Sequence, residues 1–340
     1  MKKLLCMLAA AASLPASQSA VAMTMTLGAK QDATMFQNNP DNGSGGGNGL
    51  FAGTNGAQTS PRRALIAFDV AAGLPSGVVI HDVDLTLFLG QFPNVGAVAS
   101  STIGLHPVTS SWGEGLTQLQ TPPNDTFGGL GQGAPALDGD VTWNNRFHSA
   151  STPTPWTNAG GDFESTSSAS TIVTRNLNAG YVWDSTDAMV DDVQGWLDAP
   201  QSNFGWMLKN ADEATPATFR GFYSSQTATA ELRPHLAVSF SLPGDFDHND
   251  VVDAADLGVW QSNVGLANGA LHTQGDADLD GDVDGGDFLV WQRQVGQTPN
   301  PPAVAAVPEP ATATLMAVAL MAVAVILGAG NFRRNRQTVN

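Results

Sequence analysis

Asp82-Val83-Asp84-Leu85-Thr86-Leu87-Phe88-Leu89 reads as a β-strand with one aliphatic face. Successive side chains of an extended chain point to opposite sides, so Val83, Leu85, Leu87 and Leu89 line one face of a sheet. The same period of two recurs at Phe204, Trp206 and Leu208, and at Leu236, Val238 and Phe240. Turns rich in Gly, Pro and Asn separate these runs, a pattern that predicts antiparallel sheets packed face to face. The segment 25–242 is therefore expected to be an all-β sandwich, jelly-roll-like, of a length suited to one substantial domain. One helix interrupts it. Ser185 or Thr186 can cap a run in which Met189, Val193, Trp196 and Leu197 share a face, and it is expected to cover one end of the sandwich.

Further on, the signal changes from hydrophobic alternation to acidic spacing. Asp245, Asp247, Asn249, Asp253 and Asp256 fall at positions 1, 3, 5, 9 and 12 of a twelve-residue stretch. Asp276, Asp278, Asp280, Asp284 and Asp287 repeat that spacing 31 residues later. These are the oxygen-ligand positions of an EF-hand loop, with the backbone carbonyl of Val251 or Asp282 at position 7, and they predict two bound calcium ions. Position 6 needs a sharp turn; it holds Gly281 in the second loop and Asp250 in the first. Val252 and Val283 at position 8 suit a short strand pairing the two loops. After each loop, Leu257, Trp260 and Val264 match Phe288, Trp291 and Val295, and Gly265 and Gly296 follow, predicting two short amphipathic helices with glycine stops.

No amphipathic helix precedes either loop, so each is half an EF-hand, and 244–296 resembles a type I dockerin over essentially its whole length. The resemblance implies a small α module of duplicated calcium-loop-helix units, folded by calcium, that docks onto a cohesin-like or other docking protein. Positions 10 and 11, where many dockerins carry a Ser/Thr pair, are Ala254-Ala255 and Gly285-Gly286 here.

Motif order across the β segment carries a second resemblance. Arg62-Arg63-Ala64-Leu65-Ile66-Ala67-Phe68-Asp69-Val70 is followed by Leu74-Pro75, Trp112-Gly113-Glu114 and Val141-Thr142-Trp143-Asn144-Asn145. Gly195-Trp196, Asn203-Phe204-Gly205-Trp206-Met207-Leu208-Lys209 and Arg233-Pro234-His235-Leu236 complete the series. It resembles the DNRLRE-type domain of bacterial secreted proteins, which implies a non-catalytic β-sandwich related to carbohydrate-binding modules. A sugar site needs aromatic faces for the ring and amides, carboxylates or Arg for its hydroxyls. Trp112, Trp143, Trp156 and Trp183, with Asn144, Asn145 and Arg146, are the candidates. Core packing is the alternative for each, since Trp196 and Trp206 lie on patterned faces and Trp143 in an apparent strand.

The ends read as addresses. Met1-Lys2-Lys3, the apolar run Leu4 to Leu14 and Ala20-Val21-Ala22 have the three parts of a secretory signal peptide, 1–22, cleaved after Ala22. The only cysteine, Cys6, lies within it, so no disulfide supports the mature chain. After a linker at 297–306, Val307-Pro308-Glu309-Pro310 precedes the uncharged stretch 311–330, long enough for one C-terminal transmembrane helix, and then Arg333, Arg334 and Arg336. This 307–336 tail resembles a PEP-CTERM sorting signal. The resemblance implies recognition by an exosortase-type membrane protease, release to the cell surface or extracellular matrix, and the company of exopolysaccharide; a permanent tail anchor is the alternative.

A formal net charge of −17 argues against nucleic acid as a partner. Catalytic signatures are equally hard to assemble. The chain has no Gly-x-Ser-x-Gly elbow and no His-Glu-x-x-His helix, and its six histidines are scattered. Asp191-Asp192 read as a solvated helix face rather than a carboxylate pair across a cleft. The expectation is an exported, non-enzymatic, glycan-binding and calcium-binding protein. A purely structural surface protein and a polysaccharide-degrading enzyme are the alternatives.

Overall fold

The structure is a computed structural model that describes residues 23–56, 60–118 and 132–299. Along it run β1 (Met23–Phe36), β2 (Asn42–Gly43), β3 (Gly49–Thr54), β4 (Pro61–Phe68), the single-turn helix α1 (Val70–Gly73), β5 (Val79–Gln91) and β6 (Ser101–Pro107). Then come β7 (Ala134–Pro135), β8 (Asn145–Phe147), β9 (Thr154–Pro155), β10 (Ala169–Val173), β11 (Gly180–Trp183) and α2 (Asp187–Asp198). The series closes with β12 (Trp206–Asn210), β13 (Arg220–Tyr223), β14 (His235–Ser241), α3 (Ala254–Asn263) and α4 (Gly285–Gln294). The signal peptide, the sorting tail and the 311–330 span lie outside the described residues. Among the described residues no helix is long and apolar enough to cross a membrane.

The run at 82–89 forms the middle of β5, and Val83, Leu85, Leu87 and Leu89 are all fully buried. Strand pairing runs β1-β14-β5-β13-β3-β4-β12-β6-β10, with β11 on the other side of β5. β1 begins this path and also pairs with β4 in its interior. Its first half, Met23 to Gly28, pairs antiparallel with β14; past a register shift between Ala29 and Gln31, its second half pairs antiparallel with β4. Bulges bend strands and increase local twist, so one strand can serve two layers. The result is a mostly β, sandwich-like or barrel-like fold.

Between the layers, aliphatic residues of β5 and β14 meet Ile66, Phe68, Trp183, Trp206 and Phe222. α2 closes one end as its pattern predicts. Thr186 Oγ1 accepts the Met189 N–H at 3.1 Å, and Met189, Val193, Trp196 and Leu197 are buried. Asp192 departs from expectation: its Oδ2 accepts the Ser168 hydroxyl at 2.5 Å and the Trp206 indole N–H at 2.7 Å. It is a latch holding α2 to β12, with only Asp191 left in solvent.

A second apolar cluster lies apart from the first. Ala33, Met35, Leu65, Ala67 and Met207 of β1, β4 and β12 pack beneath Val108, Trp112, Val141, Trp143 and Trp156 of the long β6-to-β10 connection. Long connections need such anchors, because their backbone forms few sheet ladders of its own.

Candidate cation loops and their surroundings

Both acidic loops fold by one local rule. Asp253 is the N-cap of α3, accepting the Ala255 N–H at 2.7 Å, while Asp256 reaches back to the Asp253 N–H at 2.8 Å. Asp284 and Asp287 build the same reciprocal capping box on α4. Loop positions 9 and 12 thus start a helix as well as offering ligand oxygens. Asp256 Oδ1 also accepts the Phe246 N–H at 2.7 Å, and Asp287 Oδ1 the Ala277 N–H at 2.7 Å, tying each loop's entry to its exit.

Position 1 organises the turn. Asp245 accepts the amides of Asn249 and Asp250 at 3.0 Å each, and Asp276 accepts that of Gly281 at 3.0 Å. Position 6 adopts the left-handed conformation, φ 68° at Asp250 and 88° at Gly281, as the sharp turn requires. Position 4 does so too, at His248 and Leu279. Asn249 Oδ1 accepts the Val251 N–H and Asp280 Oδ1 the Asp282 N–H, so position 5 stiffens the stretch that presents position 7.

Carboxylate oxygens of Asp245, Asp247 and Asp256 lie within 4.8 Å of one another, as do those of Asp276, Asp278 and Asp287, and of Asp282, Asp284 and Asp287. Asp253 and Asp280 lie on the loops outside these groups. Burial, with the charges of Asp256 and Asp247 adding to it, pushes Asp245 up to about 6. Burial also raises Asp256, Asp276 and Asp278. Asp276 Oδ1 and Asp282 Oδ1 are buried with no hydrogen-bond partner. Closely set acceptors with orphaned oxygens and no nitrogen or sulfur donor match what a hard divalent cation needs.

The expected ladder between Val252 and Val283 does not form. Val252 is buried and bonds to the chain after α4, through Val252 N to Gln297 O at 3.1 Å and Gly296 N to Val252 O at 2.8 Å. Val283 bonds likewise to Gly265 and Leu266 after α3. Each loop is therefore held by the end of the other unit's helix, with Gly265 and Gly296 left-handed at the stops.

The sugar candidates are placed differently from expectation. Trp112, Trp143 and Trp156 are buried in the second cluster, and Trp183 is fully buried in the main core. Three of them spend their indole N–H on a backbone carbonyl: Trp112 on Phe204, Trp156 on Thr142 and Trp183 on Ile103. Trp143 lies in a loop before β8, covered by the Arg63 guanidinium 4.9 Å from its ring. Asn144 bonds Asp41, Asn145 bonds Thr142, and Arg146 bonds Ser111. The polar neighbours hold the connection together and the indoles anchor it, so no exposed aromatic platform results. Trp112 lines a cleft of about 280 Å³ that it shares with Lys30, Gln31, Asp69, Asn203 and Phe204.

Tertiary structure assembles what the sequence scatters. His81 of β5, His248 of the first loop and His272 of the turn between the loops bring ring nitrogens within 4.8 Å of one another. No local spacing signals this, because the three come from separate segments. Comparison with protein-family models and with curated proteins gives no match for this chain.

Proposed function

We propose that the chain is an exported, non-catalytic surface protein whose jelly-roll-like β domain carries a dockerin-like module holding two calcium ions and docking onto a protein partner. The observation that carries the reading is the duplicated set of carboxylates with unpartnered Asp276 and Asp282 oxygens. Oxygen-only donors favour calcium over softer metals. Exposed Val264, Leu266, Leu279, Leu289 and Val295 give the module an apolar surface suited to docking. In this reading the signal peptide exports the chain, and an exosortase-type protease processes the tail at the membrane.

Calcium titration of the chelator-treated full chain tests it. Saturable binding of two ions with a gain of helical circular dichroism is expected, because self-repelling loops fold on binding. Titration with no saturable uptake and no change in ellipticity overturns it. Deleting 244–296 should also release the protein from the cell surface if this segment is its docking point.

Glycan recognition is a second reading, and the cleft beside Trp112 is what favours it. The Lys30–Asp69 ion pair at 3.0 Å and the nearby Gln31 and Asn203 offer hydroxyl partners beside Trp112 and Phe204. Retention on a panel of bacterial and algal exopolysaccharides, lost in Phe204→Ala, is the expected result. Absence of retention across the panel removes it, and release of reducing ends or unsaturated products would favour a polysaccharide-degrading enzyme.

A further inference from the structure

Three imidazoles meet where the cation-loop segment touches the β domain. His81 projects from β5 and stacks on His248 with ring centroids 3.9 Å apart. His248 Nε2 lies 3.1 Å from His272 Nδ1. The hydrogen bonds fix one tautomer: His272 Nε2 faces the Pro243 carbonyl at 2.9 Å, and a carbonyl only accepts, so Nε2 carries the proton and Nδ1 keeps its lone pair toward His248. His81 Nε2 bonds the Ser241 hydroxyl at 2.7 Å. An imidazole whose second nitrogen is held by a carbonyl or hydroxyl is the usual form of a metal-ligating histidine.

We propose that His81, His248 and His272 form a third cation site, selective for a borderline transition-metal ion such as zinc, that clips the cation-loop segment to the β domain. Zinc binds imidazole nitrogen at about 2.0–2.1 Å in a tetrahedron, which places ligand nitrogens a little over 3 Å apart, close to the His248–His272 separation. Binding turns the His81 ring out of its stack to bring Nδ1 to the ion, with the Ser241 hydroxyl rotating to follow Nε2. Three protein ligands leave a fourth position for water. The half-exposed rings of His81 and His248 give the ion a way in, and Asp247 and Asp250 beside His248 supply negative potential. Imidazole nitrogen discriminates this site from the all-oxygen loops, so the ions sort by chemistry: calcium to the carboxylates, zinc to the histidines.

The test is zinc chloride competed against a chromophoric chelator on the full chain, with calcium in saturating excess so that the loops are occupied. One zinc per chain is expected, with a higher thermal midpoint. His81→Gln should weaken binding about tenfold or more and abolish the thermal shift. His81 is the variant of choice because its ring is only half-buried and Gln can still bond Ser241; unchanged calcium titration and circular dichroism confirm that it folds. Asp278→Asn, in the second loop, should leave zinc affinity unaltered. Zinc uptake that calcium excess eliminates, or equal affinity in wild type and His81→Gln, overturns the site without bearing on the calcium reading.

Discussion

Trp260 and Trp291 are exchanged between the two halves of the acidic-loop segment: the Trp260 indole N–H donates to the Asp284 carbonyl at 2.8 Å, and the Trp291 indole N–H to the Asp253 carbonyl at 2.8 Å. Each helix thus holds position 9 of the other loop, and Phe288 packs between the two rings. Trp260→Phe should therefore weaken cation binding at the second loop, and Trp291→Phe at the first, each by roughly the 1 kcal/mol of one hydrogen bond, a several-fold loss. Calorimetric titrations in which Asp245→Asn or Asp276→Asn silences one loop at a time separate the two. Equal losses at both loops would show that the exchange carries no loop-specific effect.

Asp32 gives the β domain a pH dependence. It is buried in β1, with Oδ2 accepting the Ser225 N–H at 2.7 Å and Oδ1 lacking a partner. Burial, with the nearby Glu114 carboxylate adding to it, pushes it up to about 7 from 3.8. The folded state therefore holds this proton more tightly than the unfolded chain. Its contribution is fully present below the unfolded value, falls as pH rises, and becomes a constant penalty above about 7. Asp32→Asn should gain stability over wild type at about pH 8, by up to roughly 4 kcal/mol, with the gain fading toward pH 4. Urea unfolding of both proteins across that range measures it; a pH-independent difference would contradict the assignment.

Arg220 is fully buried, and among the described residues no carboxylate pairs with it. Its guanidinium donates to the carbonyls of Val98, Val173, Thr174, Thr218 and Phe219, joining the ends of β10 and β13 to the loop before β6. A planar fork reaches these acceptors; an ammonium at one point does not. Arg220→Lys should cost about 2–4 kcal/mol in equilibrium unfolding despite keeping the charge. A loss below about 1 kcal/mol would mean the carbonyls are readily rehydrated.

Trp156 tests the anchoring of the long connection. Trp156→Ala removes a buried ring from the second cluster and should destabilise the β domain by about 3–5 kcal/mol. A near-neutral result in denaturant unfolding would return Trp156 to the list of ligand-contacting residues.

Sequence patterning reached those features whose determinants are local. β5, β14 and α2 were legible because each has one wet and one dry face, which imposes a period. The acidic loops were legible as a repeat because one residue spacing recurs 31 residues on, and both copies fold into the same left-handed turn and capping box. The second half of β1 was not, since Ala33 to Phe36 are buried without alternation: Ala33 and Met35 lie under the second cluster, while Thr34 bonds Ser44 and Gly49 and Phe36 lies under the Arg62 guanidinium. A strand covered on both faces loses its period. The tryptophans stayed ambiguous for a related reason: an aromatic residue in an irregular connection looks alike in sequence whether it anchors the loop or meets a ligand, and burial shows the anchoring. His81, His248 and His272 carried no signal at all, because their meeting depends on how the cation-loop segment rests on β5.

The pairing of Met23 to Gly28 with His235 to Phe240 joins the first described strand to the last. Such a contact closes a loop of nearly the whole domain, so its entropy cost precedes its reward and slows folding. Until β14 is present, the first half of β1 and the flank of β5 offer unpaired edges, which template aggregation. The chain is thus committed to folding late and all at once, and fragments ending before His235 should be recovered as aggregates rather than as partial domains.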